Sequence, residues 1–160
     1  MSVRDVLILP GWQDSGPGHW QTNWEASHGY LRVQQHDWMR PLRGDWIARL
    51  EEVLLARRDQ GRASAVLAAH SLGCMLVAAW AANSRNTHLV HGAMLVAPPD
   101  TERDDVRQML PSWAPVPAQP LPARWPDRHR APPGPGTAGP ESLRCGRHNR
   151  ARRRGAEASA

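Results

Sequence analysis

Ser71 stands in the stretch Ala69-His70-Ser71-Leu72-Gly73, between two apolar runs. The first run, Ala65 to Ala69, has the length of a buried strand. The second, Cys74 to Ala82, has the length and alanine content of a buried helix. A strand, a tight turn with a serine at its tip and then a helix is the layout of a nucleophile elbow. The chemistry it suggests is attack of the hydroxyl on an acyl carbon. That attack needs a base to take the proton and donors to hold the oxyanion. The elbow lifts the side chain clear of the strand and aims the N-terminus of the next helix at the developing negative charge. Ala69 replaces the first Gly of the G-x-S-x-G pattern and is still small. The competing reading is a serine that merely caps the helix beginning near Leu72.

A second donor has an evident source. Val6-Leu7-Ile8-Leu9 reads as a buried parallel strand closed by Pro10-Gly11. The loop that follows, Gly11 to Gly18, is rich in glycine, which allows backbone to approach a ligand closely. An N–H from Trp12 or Gln13 then lies beside that of Leu72. Ser15 is placed to cap a helix whose first turn tolerates Pro17. Trp20 and Trp24 share one face of that helix and read as core or pocket wall.

These residues need a scaffold, and the rest of the chain supplies one. Leu31 to His36 partly alternates and predicts a more exposed strand at a sheet edge, with His36 solvated. From Asp45, a reasonable N-cap, the apolar positions Trp46, Ile47, Leu50, Val53 and Leu54 predict an amphipathic helix that Gly61 stops. His91 to Ala97 predicts a fourth buried strand ended by Pro98-Pro99-Asp100, and Thr101 to Leu110 a turn or two of acidic helix. Four alternations of strand and helix predict an α/β fold: a three-layer α/β/α sandwich on a parallel sheet. Open sheets of this kind place their sites at the carboxyl ends of the strands, where Ser71 falls.

Composition narrows the function classes. The chain of 160 residues suits one domain with a real core. Its net charge of +5 suggests nucleic acid until it is divided along the chain. Residues 1 to 117 hold 11 Arg against 12 Asp plus Glu, a net of −1, and residues 118 to 160 hold 9 Arg against 3 acidic residues, a net of +6. The basicity therefore belongs to the tail, and no nucleic-acid partner is expected of the domain. There is no Lys and no Phe, and Arg, Ala, Pro and Gly abound, as in a GC-rich coding sequence. No apolar stretch has the length of a membrane span, and the N-terminus lacks the apolar core of a signal peptide, so a cytoplasmic protein without a membrane partner is expected. Cys74 and Cys145 match no metal-ligand spacing, and Cys74 is expected as a packed, reduced thiol.

Several motifs together carry a resemblance. Leu9-Pro10-Gly11-Trp12-Gln13, Gly16-Pro17-Gly18-His19-Trp20-Gln21, His36-Asp37-Trp38, Ala69-His70-Ser71-Leu72-Gly73 and Leu95-Val96-Ala97-Pro98-Pro99-Asp100 follow one another in order. From about Val3 to Leu121 the chain resembles the compact serine hydrolases of the α/β-hydrolase superfamily, the group named for a retinoblastoma-binding protein. The resemblance implies a Ser-Asp-His hydrolase of small esters or similar acyl substrates, with no metal and no cofactor. By the same resemblance Ser71 matches the nucleophile, Leu72 and Trp12 the oxyanion-hole backbone, and Gly11, His19, His70 and Gly73 belong to the elbow and pocket.

The resemblance stops near residue 121. The superfamily order is Ser, then Asp, then His, and the expected fifth strand, its Asp and a late Gly-His do not follow. From 122 to 160 there is no Val or Ile, Leu143 is the sole Leu, and Pro, Gly and Arg dominate up to Arg150–Arg154. Such a segment is too poor in apolar surface to offset its ordering entropy. The expected organisation is thus an incomplete α/β-hydrolase-like domain over 1–121, its C-terminal strands and helix missing or replaced, and a disordered tail over 122–160. Three readings of the tail compete: a shifted reading frame, a genuine basic tail, and a rebuilt triad from Asp127 with His129 or His148. No triad Asp or His is identified within the domain. His70 neighbours Ser71 but should point to the other face of the strand, and His19 more naturally orders the loop. His88 and His91 begin the fourth strand, remote from the site. Two functions remain: a feeble serine hydrolase, or a non-catalytic interaction protein on the same scaffold. A strand left unpaired at the sheet edge predicts self-association.

Overall fold

The computed structural model describes residues 4–122. The expectations for the tail, with Asp127, His129, Cys145 and His148 on it, lie outside these described residues.

Four strands form one sheet in the order β2-β1-β3-β4, every neighbouring pair parallel. They are β1 (Val6–Leu9), β2 (Leu31–Arg32), β3 (Ala65–His70) and β4 (Val90–Val96). The helices between and after them are α1 (Trp20–His28), α2 (Arg43–Asp59), α3 (Leu72–Asn83) and α4 (Asp104–Met109). Parallel neighbours need a crossover between them, and the helices provide it. The strand that leads into Ser71, β3, is central, and the Leu9↔Ala69 pair is the last rung of the β1–β3 ladder before Ser71.

Alternation along the strands divides the sheet between two layers. Leu7, Leu9, Leu67 and Ala69 join Trp46, Leu50 and Leu54 of α2 and Leu72, Leu76 and Trp80 of α3 in one buried cluster. Each of these large side chains contributes about 1.5–3 kcal/mol on leaving water. Val66 and Ala68 face the other way and line a cavity with Trp24 of α1 and Tyr30. The three-layer expectation therefore holds, with α1 opposite α2 and α3.

Several boundaries differ from expectation for identifiable reasons. The first helix is capped by His19, whose Nδ1 accepts from the Gln21 amide at 3.3 Å, and not by Ser15. Ser15 is buried and spends its hydroxyl on Gln21 Oε1 instead. The second helix begins at Arg43, so Asp45 lies inside its first turn, where a carboxylate suits the helix dipole. Gly61 does follow its end, at φ 70. The edge strand is only two residues long, and the side chain of its Arg32 joins an ion-pair cluster with Asp14 (2.6 Å) and Glu25 (Nε to Oε1, 2.8 Å). His36 is exposed and lies beyond it. Among the described residues no helix is long and apolar enough to cross a membrane, and no cluster of three His, Cys, Asp or Glu could hold a metal ion.

Candidate active site

Ser71 follows the last residue of β3 and precedes the first of α3, with φ 51 and ψ −122. A non-glycine residue at positive φ is uncommon and strained, and strain of this kind gathers at functional sites. Ser71 occupies the N-cap position of α3 yet makes no side-chain capping hydrogen bond. Among the described residues its Oγ has no hydrogen-bond partner. The capping reading of this serine therefore fails on geometry: a capping serine in extended backbone would bond an amide two or three residues on.

The elbow is pinned from both sides. The Ser71 amide donates to Val96 O at 2.9 Å, tying the turn to the end of β4, and Cys74 Sγ donates to the same oxygen at 3.3 Å. Burial pushes the Cys74 thiol up to about 11, so it stays protonated and packed, as expected. On the β1 side there is no spare room. A Cβ on Gly73 would lie 2.3 Å from Leu9 O, and one on Gly11 would lie 2.8 Å from Ser71 Cβ and 3.2 Å from Ser71 Oγ. Gly16 and Gly18 have nothing within 4 Å of an added Cβ, so of the loop glycines only Gly11 serves close approach.

The two amides expected as second donors, those of Trp12 and Gln13, differ in what they bind. The Gln13 amide donates to Trp38 O at 3.1 Å. No acceptor among the described residues engages the amide of Trp12. Leu72 opens α3, so its N–H is one of the first-turn amides without an intrahelical carbonyl. The loop carrying Trp12 is itself braced: the indole Nε1 donates to Met39 O at 3.1 Å, and Asp37 accepts from the Met39 and Arg40 amides at 2.8 and 2.9 Å.

The two histidines of the site meet each other rather than Ser71. The rings of His19 and His70 lie edge to face, 4.5 Å between centroids, and Trp20 flanks both. Burial first, and then the neighbouring His19, hold His70 below its ordinary value. Neither ring is hydrogen-bonded to Ser71 Oγ among the described residues. Trp20 stacks edge to face on Trp24 at 4.8 Å, forming the wall beyond the histidines.

One residue was missed by reading the sequence. Gln21 is fully buried, and its amide nitrogen donates to Leu9 O at 3.1 Å and to Ala68 O at 2.9 Å. The sole local signal is a polar side chain one step from the tryptophan stripe of α1, and many helices carry such a residue on a solvent face.

A parallel sheet with helices on both sides and a strained serine between a central strand and its helix define the class: an α/β fold of hydrolase type. The family model for serine hydrolases matches residues 6–125, and the chain belongs to that family. Two solved structures share the fold. A protein described as a YdeN-like hydrolase, from Pectobacterium atrosepticum, is 23% identical with a TM-score of 0.55 over 66% of this chain. The ydeN gene product of B. subtilis is 19% identical with a TM-score of 0.51 over 71% of this chain. The chain spans 55% and 61% of the lengths of these two proteins. No curated protein matches it.

Proposed function

We propose that this chain is a serine hydrolase of small esters or similar acyl substrates, with Ser71 as nucleophile and a low turnover. The observation that carries the reading is the pairing of positive φ at Ser71 with a hydroxyl that caps nothing. Attack by Oγ forms the C–O bond and moves the carbonyl π electrons onto oxygen. The amides of Leu72 and Trp12 would receive that oxyanion, and Gly11 lets the second of them come near. The serine proton must leave to a base, and collapse then expels the alcohol with a proton; water later cleaves the acyl-serine by the same steps reversed. Within the described residues neither His19 nor His70 is bonded to Ser71, so solvent would take the proton. Oxyanion stabilisation and binding alone still accelerate such reactions by roughly 10³–10⁴ over water, far below a complete triad.

That no histidine is hydrogen-bonded to Ser71 among the described residues also favours a second reading, a non-catalytic interaction protein on the same scaffold. A fluorophosphonate probe separates them. Covalent labelling that disappears in Ser71→Ala supports the hydrolase; a folded protein that no concentration of probe labels supports the other. We propose further that residues 1–121 form a domain followed by a tail over 122–160, and that the domain takes no nucleic-acid partner. Self-association through a sheet edge is proposed as well, and sedimentation velocity giving a monodisperse monomer would overturn it.

A further inference from the structure

We propose that Gln21 is a positioning residue whose buried amide sets the spacing between the end of β1, which leads to Trp12, and β3, which ends in Ser71. The inference rests on Ser71 being the nucleophile and names what aligns the two oxyanion donors around it.

Each atom of the amide is committed. Nε2 has two hydrogens, and two carbonyls accept them, Leu9 O at 3.1 Å and Ala68 O at 2.9 Å. Oε1 accepts from Ser15 Oγ at 2.7 Å. Exchanging nitrogen and oxygen would set an oxygen against two carbonyl oxygens, so the chemistry of the partners fixes the orientation. The two carbonyls belong to adjacent strands. Leu9 lies three residues before Trp12, Ala68 lies three before Ser71, and the ladder ends at Leu9↔Ala69. The Gln21 side chain is therefore a crossbar at the point where β1 and β3 part towards the two donors.

The surroundings make that spacing consequential. Leu9 O is the same atom against which Gly73 packs without room for a methyl group, and a methyl group on Gly11 would lie 2.8 Å from Ser71 Cβ. A small movement of the β1 end would shift Trp12 relative to Leu72 or drive Gly11 into the nucleophile. The helix carrying Gln21 is anchored independently: Thr22 Oγ1 donates to Ser15 O at 2.9 Å, and Arg32 donates to Thr22 Oγ1 at 2.8 Å. A buried network with every member satisfied holds geometry more tightly than apolar packing of equal volume.

The test uses the full chain with Gln21→Met, which keeps length but donates nothing, and Ser15→Ala, which removes only the orienting hydroxyl. Fluorophosphonate labelling is resolved into KI and kinact, and amide hydrogen exchange is followed by mass spectrometry. In Gln21→Met kinact should fall by about tenfold with KI unchanged, a fraction of the roughly 10²–10³ lost with an oxyanion donor outright. Ser15→Ala should fall less, in the same direction. The amides of Gln13, Asp14 and Ser71 should exchange faster while those of Ala65 to Leu67 do not change. Wild-type kinact, or a proportional change in kinact and KI, or unaltered exchange at the loop and elbow would overturn the proposal. If Gln21→Met does not fold, the same readings on Ser15→Ala decide. If the wild type is never labelled, the reading of Ser71 fails, and the exchange measurement still decides for Gln21.

Discussion

Gly11 faces Ser71 so closely that a methyl group on it would lie 2.8 Å from Ser71 Cβ and 3.2 Å from its hydroxyl oxygen. Ser71 and the loop that carries Trp12 are thus closely packed, and the absence of a side chain at position 11 is what permits it.

The first prediction concerns that contact. Gly11→Ala should destabilise the protein by about 1–3 kcal/mol, the usual cost of overpacking, and slow labelling of Ser71. Gly73→Ala should cost at least as much, because the obstructing atom is the Leu9 backbone oxygen, which cannot rotate aside. Gly16→Ala, with open space around it, is the control and should be near neutral in a urea titration.

Ser71 stores backbone strain, so removing its side chain should separate stability from reactivity. Ser71→Gly relieves a positive φ that costs about 1–3 kcal/mol. Added freedom of the unfolded chain takes back about 0.4–1 kcal/mol. The net expectation is a protein more stable by about 1 kcal/mol that takes up no probe. A glycine variant less stable than Ser71→Ala would contradict it.

His70 should leave a mark on the pH dependence of stability. Burial, then His19, hold its folded value below 6.5, so the unfolded chain binds a proton more readily. Its contribution is present above pH 6.5 and is lost as pH falls through the lowered folded value. Asp5, hydrogen-bonded by Arg57, and Glu51 are held below 3.8 and 4.5 and respond only at more acid pH. Denaturation midpoints for wild type and His70→Gln between pH 7 and 5 should show the flatter slope in the variant; identical slopes would remove His70 as the cause.

Glu51 ties α2 to the end of α3. It accepts from Ser84 Oγ at 2.9 Å, Asn86 Nδ2 at 2.6 Å and the indole of Trp80. Burial works to raise its carboxyl, but bonds from Asn86, Trp80 and Ser84, with the Arg58 charge, outweigh it and leave the group below 4.5. Glu51→Ala should cost about 1–2 kcal/mol at pH 7, reduced from the value for a fully buried charged bond because solvent reaches the group. The lowered value makes this stabilisation present above pH 4.5 and lost below it. The gap between wild type and Glu51→Gln should therefore narrow in acid.

The alternation of strands and helices, the parallel sheet, the packed state of Cys74 and the turn at Ser71 between β3 and α3 were all legible in the chain, because each follows from local pattern: apolar runs of strand length, a helical stripe and a turn between them. The site's finer geometry was not local. Whether Trp12 or Gln13 keeps a free amide depends on Trp38, which arrives from a different loop to take the Gln13 hydrogen. His19 rather than Ser15 caps α1, because Gln21, drawn into the sheet, claims the Ser15 hydroxyl. Which loop glycine matters depends on where β1 meets the elbow, and only Gly11 faces Ser71. Sequence by itself determined what kind of residue sits at each turn and which elements form. Tertiary structure alone decided which amides, carbonyls and methylene-sized gaps come together, since hydrogen bonds between residues far apart in the chain form only once the sheet has brought their strands side by side.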